Sequence, residues 1–348
     1  MTTDAFILLG WTPALQREAD PLWVEGSVLG RVIRNQSHLY TVSTESAESL
    51  CELAGVLKFN AKTASELPVV GDWVWVSQEG RRGTIRVVMP RRTAVTRKVA
   101  GETTEAQVLA ANVDVVFIVT ALDRHFNVAR IERFLTLAYE SGAQPVVVLN
   151  KADKVERPDP YVTETEGAVK GLVVLPISAK YGIGVNALRH YLPMGKTGVV
   201  VGSSGVGKST LINRLLKQSI QKTGEIREAD DQGRHTTTHR ELFRLPDGGL
   251  IIDTPGLREI QLWMDESGLA AHFADITALS ARCRFGNCKH ANEPGCAVRE
   301  AVEAGILPRE RYMRYCKQRD EIRALTIRKN EKRWREKGKK NRGTLRPC

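Results

Sequence analysis

The sequence contains no run of apolar residues close to the length of about eighteen that a membrane-spanning helix needs. Its first residues also lack the order of basic, apolar and small residues that forms a secretion signal. Hydrophobic residues make up 42% of the chain and charged residues 26%, which is typical of a globular protein. We therefore expect a cytoplasmic protein with no membrane partner. We also expect a monomer. The length of 348 residues favours two or three domains over a single core.

Cysteine is scarce, with six residues in the chain, and three of them lie within fourteen positions. A disulfide framework is typical of small secreted domains, whereas this chain is long and lacks a signal. The pattern Cys283-x₄-Cys288-x-His290-x₅-Cys296 instead offers three thiolates and an imidazole, which favours one tetrahedral Zn²⁺ in a closed, structural site. The alternative is a set of reduced, buried cysteines. By spacing, three further cysteines have no partner: Cys51, Cys316 and Cys348.

Acidic residues are too few in the last part of the chain to balance its basic residues. Residues 309–348 contain sixteen lysines and arginines against five acidic residues, so this segment carries the whole net charge of +11. Such a local excess predicts a polyanionic partner, and the alternative is a solvated helix with a frayed tail.

The sequence has no internal repeats, and its first part contains no long helical pattern. After an N-terminal extension at residues 1–20, residues 21–100 carry short alternating segments that predict a five-stranded barrel, with an OB-fold as the leading candidate. Trp73 and Trp75 share one strand face, where they either stack on nucleic-acid bases or belong to the barrel core or a domain contact. The predicted strands are Leu22 to Ile33, Leu39 to Val42, Glu52 to Lys58, Asp72 to Val76 and Thr84 to Val88.

Strands and helices alternate in residues 101–265, which predicts a mostly parallel sheet covered on both faces. Residues 266–327 are predicted to form a helical module around the cysteine cluster. Residues 328–348 form a basic tail. The predicted fold class is therefore multidomain α/β.

The octet at residues 202–209 matches the phosphate-loop pattern, and it lies between a β-branched strand and a helical pattern. Backbone N–H groups of such a loop surround phosphate oxygens at a helix N-terminus. We expect Lys208 to reach the outer phosphates and Ser209 to hold Mg²⁺. The alternative is a plain strand-to-helix turn. The predicted phosphate-binding residues are Gly202, Ser203, Ser204, Gly205, Val206, Gly207, Lys208, Ser209 and Thr210.

Two further loops, each at the end of a predicted strand, favour guanine as the base. In Asn150-Lys151-Ala152-Asp153, the Asp153 carboxylate can accept from two N–H groups of guanine, whereas adenine offers no such pair. In Ser178-Ala179-Lys180, the Ala179 N–H is placed to reach the base carbonyl. Alone, the first motif could be a turn with an N-cap. The predicted guanine-binding residues are Asn150, Lys151, Asp153, Ser178, Ala179 and Lys180.

Asp253-Thr254-Pro255-Gly256 follows another strand and predicts a γ-phosphate sensor. We expect Asp253 to join the Mg²⁺ shell and the Gly256 N–H to contact the γ-phosphate. One threonine of residues 236–238 should complete the Mg²⁺ shell, and Thr237 is the preferred candidate.

Leu257 stands where many GTPases have the glutamine that orients the attacking water. An aliphatic side chain cannot perform that role. His235 is our candidate for the catalytic group because an imidazole can position water, although His239 lies nearby and an exposed loop histidine is the alternative.

The motif order is unusual, because the guanine loops precede the phosphate loop, the Asp-x-x-Gly motif and the Cys₃His cluster. In this order the chain resembles the circularly permuted GTPases of the RsgA family, also called YjeQ or YloQ. The resemblance covers nearly the whole chain, except the first twenty residues and the part past Lys317. It implies an N-terminal OB-fold, a central GTPase domain and a C-terminal zinc module.

The resemblance also implies GTP hydrolysis stimulated by the small ribosomal subunit, binding to its rRNA near the decoding region, and release of a late assembly factor. Two alternatives stay open at this point. One is a GTP-dependent factor that acts on another RNA or on the large subunit, and the other is an RNA-binding module without turnover.

Overall fold

The chain builds a β-barrel, a parallel sheet and a helical module, in that order along the sequence. A computed structural model describes residues 4–36, 38–79, 82–98, 106–123, 126–167, 171–217, 240–253 and 266–343. The described residues confirm the predicted multidomain α/β class. No helix among them is both long enough and apolar enough to cross a lipid bilayer.

The first five strands form a closed barrel, as the sequence predicts. β1 pairs with β2 and β4, while β3 pairs with β2 and in parallel with β5, so the order 1-2-3-5-4 returns to β1. Fully buried Val32, Val42 and Ile85 fill the inside. The strands are β1 (Ser27–Gln36), β2 (Leu39–Thr44), β3 (Glu48–Leu53), β4 (Trp73–Glu79) and β5 (Arg82–Val88).

The N-terminal residues form two helices that pack against this barrel, α1 (Asp4–Leu8) and α2 (Pro13–Ala19). The Trp11 and Trp73 rings lie 4.6 Å apart, and Trp75 donates its indole N–H to the Ala19 carbonyl at 3.3 Å. Trp73 is 1% exposed and Trp75 8%. Both tryptophans therefore belong to the core, and neither presents a ring face to solvent for stacking.

The third strand lies earlier in the chain than predicted, at Glu48–Leu53 instead of Glu52 to Lys58. β3 ends at Leu53, and α3 (Gly55–Asn60) follows where the strand was expected to continue to Lys58. Leu57 of this helix packs against the barrel core, as does Leu53 at the end of β3. A 3₁₀ turn at Ala64–Glu66 follows. Another at Asp20–Leu22 delays β1, which begins later than predicted.

A β-hairpin that the sequence analysis did not predict links the barrel to the central sheet. β6 (Ala94–Lys98) and β7 (Ala106–Ala111) pair antiparallel as a separate two-stranded sheet. Val95 and Leu109 from this hairpin belong to the same buried cluster as the central sheet.

The central sheet has five parallel strands and one antiparallel edge strand, which confirms the predicted architecture. Its order is β10-β9-β8-β11-β13-β12, and buried clusters cover both faces. The strands are β8 (Val115–Ala121), β9 (Gln144–Asn150), β10 (Val174–Pro176), β11 (Thr197–Val201), β12 (Arg240–Arg244) and β13 (Leu250–Asp253). The helices are α4 (Val128–Ser141), α5 (Asp159–Glu166), α6 (Val185–Arg189) and α7 (Lys208–Leu216).

The barrel and the central sheet are continuous through one strand pair. β12 pairs antiparallel with β1, with Glu241 opposite Arg34, and the two side chains form an ion pair. The result is an eleven-stranded sheet that runs from β10 to the barrel.

The C-terminal region is helical and packs against the central domain. Its helices are α8 (Glu266–His272), α9 (Ala274–Ser280), α10 (Ala297–Glu303) and α11 (Arg309–Gly343). α11 continues without a break through the border predicted between the module and the basic tail, after residue 327.

α11 docks on α4 through a buried carboxylate. Glu132 is 0% exposed, and its oxygens lie 3.7 Å from an Arg311 nitrogen and 2.5 Å from Arg314 Nε. Thr136 donates to Gln318 Oε1 at 2.9 Å along the same contact. Burial raises the pKa of Glu132, while the two arginines oppose that rise.

A second buried carboxylate organises the loop before β4. Asp72 is 0% exposed, and both of its oxygens accept from Arg91 at 2.8 Å. Arg91 also donates to the carbonyls of Ser65 at 2.5 Å and Leu67 at 2.7 Å. Burial raises the pKa of Asp72, and the hydrogen bonds from Arg91 and the Val69 N–H counteract it.

Replacing Arg91 by methionine should destabilise the protein by about 3–5 kcal/mol, because the buried Asp72 carboxylate loses its only bidentate partner among the described residues. Arg92→Met is the matched control, since Arg92 pairs with Glu18 where both side chains are about two-fifths exposed. The control should cost less than about 1 kcal/mol. Urea unfolding followed by tryptophan fluorescence measures both, and equal losses would contradict the assigned role of Asp72.

Candidate nucleotide site and metal centre

Four motif-bearing segments reach the same edge of the central sheet. Parallel strands place their carboxyl ends together, and ligands bind at that edge in open α/β sheets. The segments follow β9, β10, β11 and β13, so loops that are distant in sequence become neighbours.

The phosphate loop joins β11 to α7, and its glycines are required by close contacts. Gly202 has φ +144°, and a Cβ there would lie 2.2 Å from the Val119 carbonyl oxygen. Gly207 has φ +97°, and a Cβ would lie 2.3 Å from Asn150 Nδ2. Only glycine fits both positions, and the loop can therefore lie directly against its neighbours.

Lys208 begins α7 and directs its ammonium into the loop. Its Nζ donates to the carbonyls of Gly202 at 2.7 Å and Ser203 at 2.6 Å. Ser209 and Thr210 continue the first helical turn and are partly exposed. A cation, hydroxyl groups and a helix N-terminus thus meet where the sequence predicts a polyphosphate.

Asn150 connects the phosphate loop to both guanine loops. Its side chain is buried at 3% exposure, its Nδ2 donates to the Val206 carbonyl at 2.8 Å, and its Oδ1 accepts from the Ala179 N–H at 3.0 Å. One amide therefore fixes the spacing of three segments. The predicted contact of the Ala179 N–H with a base carbonyl stays a prediction, because this N–H already donates to Asn150.

The rest of the first guanine loop presents a carboxylate to solvent. Lys151 has φ +61° and forms an ion pair with Asp123, Nζ to Oδ2 2.8 Å. Asp153 lies on a 3₁₀ turn, is exposed, and has no ion-pair partner in the described part of the chain. Its carboxylate is thus available to a ligand.

The second guanine loop is attached to the phosphate-loop helix. Arg214 on α7 donates to the carbonyl of Ala179 at 3.2 Å and to that of Lys180. Ser178 is buried, and its Oγ accepts from the Tyr181 N–H at 3.4 Å. These contacts hold the loop against α7.

Asp253 ends β13, next to the strand that leads into the phosphate loop, because Val199 of β11 is in register with Ile252. A carboxylate and the Ser209 hydroxyl are the hard oxygen ligands that Mg²⁺ prefers, so these two predicted magnesium ligands fit the ion chemically. The remaining predicted residues of this site, His235, Thr237 and Gly256, lie outside the described residues.

The four predicted zinc ligands converge in the C-terminal module. The ligand atoms of Cys283, Cys288, His290 and Cys296 all lie within 4.8 Å of one another. His290 Nδ1 is 3.6 Å from Cys283 Sγ and 3.4 Å from Cys296 Sγ, and the two sulfurs are 4.0 Å apart. Tetrahedral Zn²⁺ separates sulfur and nitrogen ligands by roughly 3.5–3.8 Å, so the donor set and its spacing fit this ion.

Groups around the cluster orient its histidine. The Ser280 hydroxyl lies 3.1 Å from His290 Nε2, and Tyr312 donates to the His290 carbonyl at 2.5 Å. Outer contacts of this kind select which ring nitrogen faces a metal. The module is thereby tied to α11, which carries Tyr312.

Comparison with known proteins decides the family. The RsgA GTPase family matches residues 88–263. The small ribosomal subunit biogenesis GTPase RsgA of Opitutus terrae is 46% identical over 320 residues, which cover 88% of this chain and 87% of the relative. The chain belongs to the RsgA GTPase family. It is accordingly a GTP hydrolase with circularly permuted motifs.

Other RsgA relatives extend the likeness across most of the chain. The RsgA of Syntrophotalea carbinolica is 43% identical and covers 92% of this chain and 90% of the relative. The crystal structure of YjeQ from Thermotoga maritima matches with a TM-score of 0.65 at 30% identity, covering 85% of this chain and 98% of that one. The structure of YloQ, a circularly permuted GTPase, matches with a TM-score of 0.62 at 27% identity, covering 86% and 96%.

Two side chains at the RsgA site were missed by the sequence analysis. Asp123 follows the carboxyl end of β8, and that position could have drawn attention to it as a partner for the lysine of the guanine loop. Nothing in the sequence marks Arg214 as a site residue, because a basic residue in the last turn of an amphipathic helix is common.

Replacing Asp153 by alanine should weaken binding of GTP and GDP on the order of a hundredfold, because a ligand carboxylate hydrogen bond contributes about 1.5–3 kcal/mol. Asp159→Ala is the control, since that carboxylate is exposed and lies 3.9 Å from Arg157. Fluorescence anisotropy of a labelled GDP, with ATP as competitor, measures the change. Unaltered discrimination against ATP in Asp153→Ala would contradict the assignment.

Replacing Cys288 by serine should remove bound zinc and loosen the C-terminal module, because a structural site loses a quarter of its ligand set. Cys316→Ser is the control, since this thiol lies outside the four-residue group. Metal content by mass spectrometry should give one zinc per wild-type and control chain. Full zinc retention in Cys288→Ser would be incompatible with the Cys₃His assignment.

Proposed function

We propose that this protein binds GTP with Mg²⁺ at the carboxyl edge of the central sheet and hydrolyses it during biogenesis of the small ribosomal subunit. The observation that carries the proposal is the Asn150 bridge, which joins the phosphate loop to both guanine loops. Family membership supports the assignment to the small subunit, because the relatives are named for that process.

Guanine specificity rests on Asp153. Its exposed carboxylate accepts from N1–H and the amino group of guanine, while the loop of residues 178–180 lines the other side of the base. An adenine base would leave that carboxylate without a donor, which costs binding free energy.

The phosphates are held by the N–H groups of residues 202–209 and by Lys208, which exchanges its carbonyl partners for phosphate oxygens. Ser209, Asp253 and Thr237 hold Mg²⁺, which neutralises charge on the phosphates when bound. The Gly256 N–H contacts the γ-phosphate, and loss of that contact after hydrolysis releases its segment.

Water attack depends on a group other than the side chain at position 257, because leucine cannot orient water. His235 performs this role, and binding of the small subunit brings it into position. The intrinsic rate is therefore low and the stimulated rate high.

The partner is the rRNA of the small subunit near the decoding region, and GTP hydrolysis assists release of a late assembly factor. The charge excess of residues 309–348 supports RNA as the partner, since it places sixteen cations on α11 and the residues after it. The protein acts as a cytoplasmic monomer.

Phosphate release with and without purified small subunits tests the proposal. Wild type should be strongly stimulated. Lys208→Ala should lose activity because it no longer binds the phosphates. His235→Ala should still bind nucleotide but lose roughly a hundredfold in stimulated rate, which is typical for removal of a general base or water-orienting group. Purified large subunits are the control partner, and equal stimulation by them, or none by small subunits, would overturn the proposal.

A further inference from the structure

The loop between the first two zinc ligands presents an aromatic ring to solvent. Phe285 lies between Cys283 and Cys288 and is 42% exposed, although phenylalanine is usually buried. The Arg284 guanidinium lies over the ring, 5.6 Å from its centroid. This pair forms a flat, cationic feature on the module surface.

Backbone hydrogen bonds hold the ring in place. The Arg284 N–H donates to the Gly295 carbonyl at 3.0 Å, and the Cys288 N–H donates to the Phe285 carbonyl at 3.1 Å. Cys283, directly before this turn, donates to the Ser280 carbonyl at 3.2 Å. The exposed ring thus sits on a turn with defined geometry, and ordering it on binding costs little.

The surroundings of the ring are basic. Residues 281–296 contain three cations and one carboxylate, and Arg282, Arg284 and Lys289 are all exposed. The carboxylate, Glu293, accepts backbone N–H groups of Lys289 at 3.0 Å and of residues 291 and 292 at 2.8 and 3.1 Å. Its charge is therefore engaged by the loop itself.

The basic surface continues onto the long C-terminal helix. Arg319 of α11 donates to the Lys289 carbonyl at 2.8 Å and is ion-paired with Asp320 at 2.9 Å. The next turn of α11 carries the exposed Arg323. The loop and α11 are therefore neighbours on the surface of the module.

We propose that this loop binds single-stranded RNA, with Phe285 stacked on an unpaired base and Arg282 and Arg284 contacting the flanking phosphates. Aromatic rings on zinc-held loops with neighbouring cations suit this ligand, because each base offers a π-face and each phosphate a charge. The inference deepens the proposed function, on which it rests for identifying the RNA as small-subunit rRNA. A protein partner with an apolar surface would need the apolar area of Phe285 but not its planarity.

The test uses the full-length, zinc-loaded protein and a short, uridine-rich RNA labelled with fluorescein, followed by anisotropy. Phe285→Leu keeps the apolar surface and removes the ring, and it should weaken binding roughly 5- to 150-fold, the range of one base stack. Phe285→Trp should restore wild-type affinity. Ile306→Ala is the control, because Ile306 is a 77% exposed apolar residue of the same module without a ring.

Salt dependence separates stacking from charge. Phe285→Leu should leave the slope of log affinity against log salt unchanged, while Arg284→Gln should reduce it by about 0.7, the value for one contact with single-stranded phosphate. Zinc content and thermal midpoint, measured for every variant, identify any variant that fails to fold.

Wild-type affinity in Phe285→Leu, with affinity lost only in Phe285→Ala, would show an apolar contact and overturn the stacking proposal. The RNA assay needs neither GTP nor ribosomes, so its result is independent of the hydrolysis test. RNA binding through Phe285 without stimulation by small subunits would refute only the proposed function. Stimulation by small subunits without RNA binding through Phe285 would refute only this inference.

Discussion

The nucleotide site depends on the position of one buried amide, that of Asn150. Its two ends satisfy a carbonyl of the phosphate loop and an N–H of the second guanine loop. Along the chain, Asn150 is 56 residues from its partner in the phosphate loop and 29 residues from its partner in the second guanine loop. Because the amide is buried, either partner left alone would carry an unsatisfied polar group, so the three segments are held together as a unit. This constraint is independent of chain order, and the motifs can therefore be permuted without loss of the site.

Most of the fold and the convergence of the motif-bearing segments could be predicted because both rest on local patterns. The strand, loop and helix around Lys208 and the cysteine spacing up to Cys296 each follow from short stretches of sequence, and the carboxyl edge of a parallel sheet then brings the loops together. The partners of these residues could not be predicted. Asp123, Arg214 and Ser280 act through contacts between segments that no periodicity links.

The aromatic residues illustrate the same limit. Trp73 and Trp75 alternate on a strand, a pattern that fits both a stacking surface and a core. Their burial depends on Trp11, which lies between α1 and α2, and on Ala19 at the end of α2, both outside the barrel. Phe285, by contrast, is exposed, because it lies on a turn between two cysteines. Whether such a side chain is exposed thus depends on tertiary packing, which the strand and helix patterns of the sequence do not predict.

The attachment of the barrel follows from where the hairpin of β12 and β13 lies. β12 begins at Arg240, three positions after Thr237, and β13 ends at Asp253, three positions before Gly256. The two segments that we propose to act at the γ-phosphate and Mg²⁺ are therefore joined in sequence to this one hairpin. Since β12 also pairs with β1 and Glu241 binds Arg34, the barrel is fixed to the same element. The zinc module is attached on the other side, through Glu132 of α4. The hairpin beside the nucleotide site thus connects the central sheet to the barrel, while α4 connects the same sheet to the C-terminal module.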